Sequence, residues 1–306
     1  MEMSNSFSVT FWGVRGSFPT PGAQTARIGG NTPCVLVQAG NHQIILDAGT
    51  GIIGLGRALV AEHRKTGAPM NLTLLFTHTH HDHTQGFPFF IPTHFSATHI
   101  NIFGPRSLSQ DLEEVIARSM LPPVFPITLD ELACERRISN LNEGEMVIFD
   151  PDQDQPQILR AHRESKIEAP ETIRVRFLRS FSHPQGVLIY RIDYNNQALI
   201  FATDTEGYIG GDQRVINFSK GANLLIHDAQ YTDEEYAHST APKQGWGHST
   251  WKMALEVARA ANVKQLALFH HEPMHDDDAL EKIEKQAQKE FAAVFLAREG
   301  MQINLA

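Results

Sequence analysis

Short apolar runs separated by glycine and polar turns recur along this chain and predict a protein rich in β-strands. The first strands are predicted in SFSVTFWG, CVLVQAG and HQIILDAG, and the turn at 39–41 is short enough for a hairpin. The continuous apolar run in NLTLLFTHTH indicates a strand that is buried on both faces. Apolar residues at helical spacing predict helices over 52–66, over STWKMALEVARAA and from about residue 277.

Strands in the second half of the chain end in polar residues. They are predicted in IRVRFLRSFSHP, QALIFATDTEG, NLLIHDAQY and QLALFHHEP. The polar residues at their ends are His183, Asp204, the pair His227 and Asp228, and the pair His270 and His271. Apolar strands followed by helices in both halves predict an α/β protein in which two β-sheets pack together and are covered by helices.

The middle of the chain, around 105–175, is predicted to be an irregular insertion within a single domain that spans 1–306. The three prolines of LPPVFPITLDEL prevent regular structure there, and DPDQDQPQ is typical of an exposed linker. Within 105–175, only SLSQDLEEVIARSM, just before the proline-rich part, predicts a helix, with a serine or aspartate at its start.

Composition limits which partners the protein is expected to bind and in which cellular compartment it is expected to lie. The net charge of −9 argues against broad attraction to nucleic acid, and we expect no extended nucleic acid as a substrate. The chain shows neither a signal peptide nor a membrane-spanning run, so no membrane partner is expected. Cys34 and Cys134 lie far apart, which favours packing roles in a reducing cytoplasm.

The stretch FTHTHHDHTQG concentrates metal-ligand chemistry, with four histidines and one aspartate within residues 78–83. Residues two apart in an extended chain point the same way, so His78 and His80 can bind one ion. Asp82 and His83 can then face a second ion, while His81 points elsewhere. Together with the strand ends, the predicted ligands are His78, His80, Asp82, His83, His183, Asp204 and His270. This donor set suits two zinc ions, with manganese or iron as alternatives.

These motifs resemble those of the metallo-β-lactamase superfamily. HTHHDH fits its H-x-H-x-D-H motif, and LDAGTG, SHP, FATDTEG and LFHHEP are similar to its other strand-end motifs, in the same order from about residue 7 to 275. The resemblance implies an αββα sandwich with a dinuclear centre. It implies that His78, His80 and His183 hold one ion, that Asp82, His83 and His270 hold the other, and that Asp204 bridges them. It also implies that Asp47 fixes a histidine tautomer; His270 is preferred to His271 because it directly follows the strand, although the adjacent pair leaves that choice open.

Two further residues bear on the reaction. His248, in WGHST, is similar to the extra histidine of ribonuclease Z and related phosphodiesterases, where an imidazolium can protonate a poor leaving group. His248 and the ligand Asp82 are therefore the predicted catalytic residues. Arg15, in FWGVRGSFPTPG, is a candidate for binding a substrate phosphate, and an arginine that bonds loop carbonyls is an equal alternative.

The leading hypothesis is a dinuclear phosphodiesterase that hydrolyses a 3′,5′-cyclic nucleotide through attack of a metal-bridging hydroxide on phosphorus. The alternatives are an acyl hydrolase for lactones or thioesters, RNA processing of the ribonuclease Z type, and a non-catalytic nucleotide sensor. RNA processing is disfavoured by the acidic charge and by the lack of a basic arm. The segment MLPPVFPITLDEL is either a lid or a dimer contact, because related phosphodiesterases are often homodimers. A base could stack on Phe87, Phe89, Phe125 or Trp246. Core packing is the commoner role of such residues, so none of them is predicted to be a site residue.

Overall fold

Two mixed β-sheets, packed face to face and flanked by helices, form the protein. The computed structural model describes residues 6–107, 109–151, 153, 155–161, 169–208 and 210–305. The strands are β1 (Phe7–Gly13), β2 (Cys34–Ala39), β3 (His42–Leu46), β4 (Met70–Leu75), β5 (Thr98–Pro105), β6 (Glu135–Leu141), β7 (Glu145–Phe149), β8 (Gln157–Arg160), β9 (Ile173–Ser180), β10 (Val187–Tyr194), β11 (Gln197–Ala202), β12 (Leu224–Asp228), β13 (Gln265–Phe269), β14 (Val294–Leu296) and β15 (Gln302–Asn304). The α-helices are α1 (Gly51–Thr66), α2 (His81–Thr84), α3 (Leu112–Arg118), α4 (Gln213–Ser219), α5 (Asp233–Tyr236), α6 (Trp251–Ala260) and α7 (Asp277–Glu290).

Each sheet has a parallel part whose strands end at a common edge. In the described residues the first sheet has the order β15-β1-β2-β3-β4-β5-β6, and the second has β14-β13-β12-β11-β10-β9-β7-β8. Pairing is parallel from β3 to β6 and from β11 to β14. The residues that follow β3 and β4 in one sheet, and β11, β12 and β13 in the other, therefore lie at the strands' carboxyl ends, where ligands bind in α/β sheets.

Successive side chains of a central strand point to opposite faces of its sheet and so enter two different apolar layers. In β3, Ile44 and Leu46 join the apolar cluster between the sheets, while Ile45 joins the cluster under α1 and α3. The cluster between the sheets continues beneath α4, α6 and α7. Strand β4 is buried on both faces, as its continuous apolar run predicts. The predicted αββα arrangement is confirmed.

The stretch 105–175 differs from the predicted irregular insertion. Helix α3 lies within SLSQDLEEVIARSM and begins after Asp111, as predicted, but β6, β7 and β8 extend both sheets. Strand β6, ERRISNL, is an edge strand with only one buried residue, so its sequence lacks the apolar run that identifies the other strands. The proline-rich part does lack long elements, with only a short 3₁₀ turn at Leu129–Glu131. Positions 152 and 154 of the predicted linker DPDQDQPQ lie outside the described residues.

Within the described part of the chain, no helix is long and apolar enough to cross a membrane. Both cysteines are buried and unpaired, in agreement with the packing role that their spacing predicts.

Candidate metal centre

The seven predicted ligands lie together at the carboxyl edges of the two sheets. They form two sets, His78 with His80 and His183, and Asp82 with His83, Asp204 and His270. Within each set the ligand atoms all lie within 4.8 Å of one another. The motif resemblance assigns the same residues to two ions, with Asp204 as the bridge between them.

Asp204 lies between the two sets and reaches both with different oxygens. Its Oδ1 is 3.7 Å from Nε2 of His78 and 3.7 Å from Nε2 of His183. Its Oδ2 is 3.2 Å from Nε2 of His83 and 3.3 Å from Nε2 of His270. A carboxylate with one oxygen toward each set has the geometry of a bridging ligand.

Two buried nitrogens in the centre test whether a cation fits it. Nε2 of His78 and Nε2 of His83 are buried and have no hydrogen-bond partner, although an orphaned buried polar atom is costly. Burial lowers the pKa of His78 well below its ordinary value, which favours the neutral imidazole that binds metal. Burial also acts to raise the pKa of Asp204, but the imidazoles around it outweigh this and hold the pKa well below its usual range. Burial acts to lower the pKa of His83, but Asp204, Asp82 and Asp47 outweigh this and raise it well above its ordinary value, so these carboxylates favour a positive charge at this position. Imidazole nitrogens among ionised carboxylates suit divalent metal ions, and the residues present therefore fit them.

Three polar residues of the site have left-handed backbone at or near the ends of strands. Asp47, Asp204 and His270 each directly follow or lie near the end of a strand, with φ of 60°, 52° and 60°. Left-handed backbone is costly for residues with a side chain and is typical of functional sites. These turns let the chain leave each strand abruptly, with the polar side chain at the sheet edge.

Asp47 is bound to the ring of His83, one of the predicted ligands. Its buried carboxylate accepts hydrogen bonds from the backbone N–H of Thr77 at 2.8 Å and from Nδ1–H of His83 at 2.8 Å. With its proton on Nδ1, the ring of His83 presents a free Nε2 lone pair to the centre. The predicted tautomer-fixing role of Asp47 has this geometry.

The structure distinguishes His270 from His271, between which the sequence left the choice of ligand open. His270 points into the centre, with Nε2 at 3.3 Å from Oδ2 of Asp82. His271 points away, and its Nε2–H donates to the carbonyl of Ala297. Burial lowers the pKa of His271 to about 3. His81 is exposed, as the alternation within the motif predicts.

His248 lies at the edge of the same centre, just before α6. Its ring centroid is 5.0 Å from that of His183 and 5.0 Å from that of His270. Its Nδ1–H donates to Oδ2 of Asp228 at 2.8 Å. Burial acts to lower the pKa of His248, but Asp228 and Asp204 outweigh this and raise it to about 9.

Asp228 is a site residue to which the sequence analysis assigned no role. Besides binding His248, its carboxylate accepts from the backbone N–H groups of Ser249, Gln230 and Asp204. It therefore joins the end of β12 to Asp204 and to the segment that carries His248. The signal was present, because Asp228 ends an apolar strand as the other site residues do.

Arg15 lies apart from the cluster of ligands, and its side chain is completely buried. Its guanidinium donates to the carbonyls of Gly29, Glu272 and His275 and lies 3.8 Å from Asp277. Burial lowers its pKa, although the surrounding carboxylates act to raise it. These are the contacts of an arginine that bonds loop carbonyls, and none of its described contacts is with a ligand of the centre.

The fold and the histidine–aspartate centre define a class of αββα metallohydrolase. A family model described as a beta-lactamase superfamily domain matches residues 42–271, and the chain belongs to this superfamily. It is a metallo-β-lactamase superfamily hydrolase similar to ribonuclease Z, and its fold implies divalent metal ions.

Relatives and solved structures agree with this assignment. The chain is 28% identical over 274 residues to a ribonuclease Z of Sulfurisphaera tokodaii, which covers 85% of this chain and 89% of that protein. It is 26% identical to a ribonuclease Z of Archaeoglobus fulgidus over 98% of both chains. The fold is similar to that of the metallo-beta-lactamase fold protein YhfI from Bacillus subtilis, with a TM-score of 0.64, 20% identity and coverage of 98% of this chain and 99% of that one. It is also similar to the short form of human tRNase Z, with a TM-score of 0.61, 20% identity and the same coverage. Names of ribonucleases among the relatives conflict with the expectation that no extended nucleic acid is a substrate.

Proposed function

We propose that this protein is a dinuclear metal-dependent phosphodiesterase. The observation that carries the proposal is His248, which lies beside both ligand sets with its Nδ1–H bound to Asp228. In the described part of the chain its Nε2 has no hydrogen bond and is available to a substrate. Cleavage of a lactone, a thioester or a β-lactam does not need this extra acid, whereas departure of an alkoxide from phosphorus does.

The ligands divide between two ions in this proposal. His78, His80 and His183 would hold one ion, Asp82, His83 and His270 would hold the other, and Asp204 would bridge them. Zinc is the proposed metal, because imidazole-rich sites suit it, with manganese and iron as alternatives. Two such ions would acidify a water and neutralise the negative charge of a phosphodiester.

The protein's own groups supply proton transfer and orientation. His248 donates the proton of Nε2 to the departing oxygen, which would otherwise leave as an alkoxide. Asp228 holds the ring through Nδ1 and stabilises its protonated form. Asp47 holds His83 in the tautomer that binds metal.

Two classes of phosphodiester are candidates for the substrate. The acidic net charge of −9 and the absence of a basic arm in the sequence support a small 3′,5′-cyclic nucleotide. The relatives named ribonuclease Z support an RNA strand instead. A cytoplasmic location and a homodimer remain predictions of the sequence.

The test compares leaving groups on metal-reconstituted protein. Turnover is measured for bis(p-nitrophenyl) phosphate, 3′,5′-cyclic nucleotides, short RNA, a lactone and a thioester. We expect His248→Ala to slow cleavage of the nucleotide substrates by about 100- to 10,000-fold. The nitrophenyl ester should be affected much less, because nitrophenolate leaves without a proton. His94→Ala, which removes an exposed histidine, is the matched control.

Three outcomes would contradict the proposal. An equal loss for nitrophenyl and nucleotide substrates would remove His248 from the proton transfer. Turnover of only the lactone or the thioester, unaffected by His248→Ala, would identify an acyl hydrolase. Tight nucleotide binding without any turnover would identify a sensor.

A further inference from the structure

The segment 236–247, which leads into His248, is tied to the metal centre by Glu206. The buried carboxylate of Glu206 accepts from the N–H of Gly245 at 2.8 Å, from the N–H of Gly247 at 3.0 Å, and from the hydroxyl of Tyr236. Glu206 lies two residues after the bridging Asp204. The segment is therefore held to the strand end that carries the bridging ligand.

The segment also contacts His183, which would hold the first ion in the proposed function. The carbonyl of Gly247 accepts from Nδ1–H of His183 at 3.1 Å. A Cβ on Gly247 would lie 2.2 Å from that nitrogen, so the backbone and the ring are in direct contact. The end of the segment at Gly247 therefore lies at the border of the centre.

Two of those side chains form a cation–aromatic pair. Nζ of Lys243 lies 4.1 Å from the centroid of the Trp246 ring and 6.0 Å from that of Tyr231. The Tyr231 ring packs edge-on against His248, with centroids 6.1 Å apart. A continuous series of contacts thus joins the pair to the proposed proton donor.

Neither member of the pair is accounted for by the fold. Trp246 is 55% exposed, which is unusual for the largest apolar side chain. Among the residues that the structure describes, no carboxylate pairs with Lys243, even though the chain carries a net charge of −9. An exposed indole with an ammonium over one face presents its other face for stacking and a positive charge beside it, which are the two features that bind a nucleotide.

We propose that Trp246 and Lys243 form a subsite for the nucleoside that leaves with the proton of His248. This inference rests on the proposed phosphodiesterase function. The base of the leaving nucleoside stacks on Trp246, and a further phosphate on that nucleoside pairs with Lys243. The matching substrate is a linear nucleotide chain. A 3′,5′-cyclic nucleotide lacks the further phosphate, because its leaving oxygen belongs to the same sugar.

The test uses substrates that differ only on the leaving side. They are bis(p-nitrophenyl) phosphate, a dinucleotide, and the same dinucleotide with a terminal phosphate on the leaving nucleoside, in ribose and deoxyribose forms. Trp246→Ala should lower kcat/KM for both dinucleotides by about 5- to 150-fold, the range that base stacking gives. The loss should be smaller for the nitrophenyl ester, because its single ring offers less stacking area than a nucleoside. The neighbouring control Gln244→Ala should lower kcat/KM for none of the three substrates.

Lys243→Gln gives a separate measurement. It should lower kcat/KM only for the dinucleotide with the terminal phosphate. The slope of log kcat/KM against log salt should become shallower by about 0.7, because one phosphate contact is lost. A structural role of Lys243 would not change that slope selectively.

The outcomes distinguish the two proposals. Wild-type protein that cleaves none of these phosphodiesters would overturn the proposed function, and the subsite with it. Cleavage that both variants leave unchanged, or that they slow equally for all three substrates, would overturn the subsite alone. Equal results for ribose and deoxyribose forms would show that the subsite binds base and phosphate without sensing the sugar.

Discussion

Replacement of Asp47 by asparagine tests how the protein prepares a histidine for metal. The change preserves the shape of the side chain and replaces one carboxylate oxygen with an NH₂ group. The remaining oxygen can still accept from the backbone N–H of Thr77, which lies 2.8 Å from Oδ1. The NH₂ group would then face Nδ1–H of His83, which lies 2.8 Å from Oδ2. Two donors would meet, and the ring could avoid this only by moving its proton to Nε2, where the metal binds.

The structure sets the size of the expected effects. Loss of a partner that orients a metal-binding histidine typically lowers metal affinity by about 10- to 100-fold, or about 1.4–2.7 kcal/mol. A buried donor left without an acceptor costs about 1–3 kcal/mol. For a chain of this size each kcal/mol shifts Tm by about 2 °C, so the metal-free variant should melt about 2–6 °C lower.

Metal affinity is measured by competition with a chromogenic chelator, and Tm is measured with and without metal. The matched control is Asp130→Asn, because the Asp130 side chain is 93% exposed and pairs only with Arg136 in the described structure. Asp130→Asn should change neither quantity. If Asp47→Asn kept both its metal affinity and its Tm, the proposed role of Asp47 would be refuted.

Three further predictions concern the metal, Gly247 and Glu235, whose carboxylate accepts from the N–H and hydroxyl of Thr232 and lies 2.7 Å from Nε2 of His275. Removal of metal by a chelator should abolish turnover and lower Tm, because buried imidazole nitrogens lose the ion that they bind. An unchanged Tm would argue against a buried metal centre. Gly247→Ala should lower activity far more than Gly245→Ala, since both have positive φ but only the Cβ at 247 would clash with His183; equal activities would contradict this. Burial acts to raise the pKa of Glu235, but its hydrogen bonds lower it to about 2 from 4.5. The folded state thus holds its proton less strongly, so the Tm advantage of wild type over Glu235→Gln in metal-free protein should be full above pH 4.5 and disappear as pH falls toward 2.

The sequence predicted most of the donor atoms because their signals are local. An apolar run ends, the chain turns, and a histidine or carboxylate follows at the strand end. The same logic predicted both layers of sheet, since each central strand carries its own alternation. It did not predict β6 and β7 as strands of the two sheets, because a strand such as ERRISNL at a sheet edge buries too little to leave a clear pattern.

Which of two adjacent residues enters the site, and which groups a side chain binds, depended on tertiary structure. His270 and His271 are adjacent and chemically identical, and only the left-handed turn at His270 and the bond from His271 to Ala297 separate them. Arg15 had two equal interpretations until its carbonyl partners were visible.

The sequence by itself thus determined the αββα class, the superfamily resemblance and the donor set, because residue spacing along a strand or a turn sets these features. Tertiary structure alone decided that Asp228 binds His248, that Glu206 holds the segment 236–247, and that Lys243 lies over Trp246. The first two contacts join residues 20 and about 40 positions apart in the chain. Their geometry depends on the register of parallel strands and the path of the loops between them, and residue spacing does not encode either.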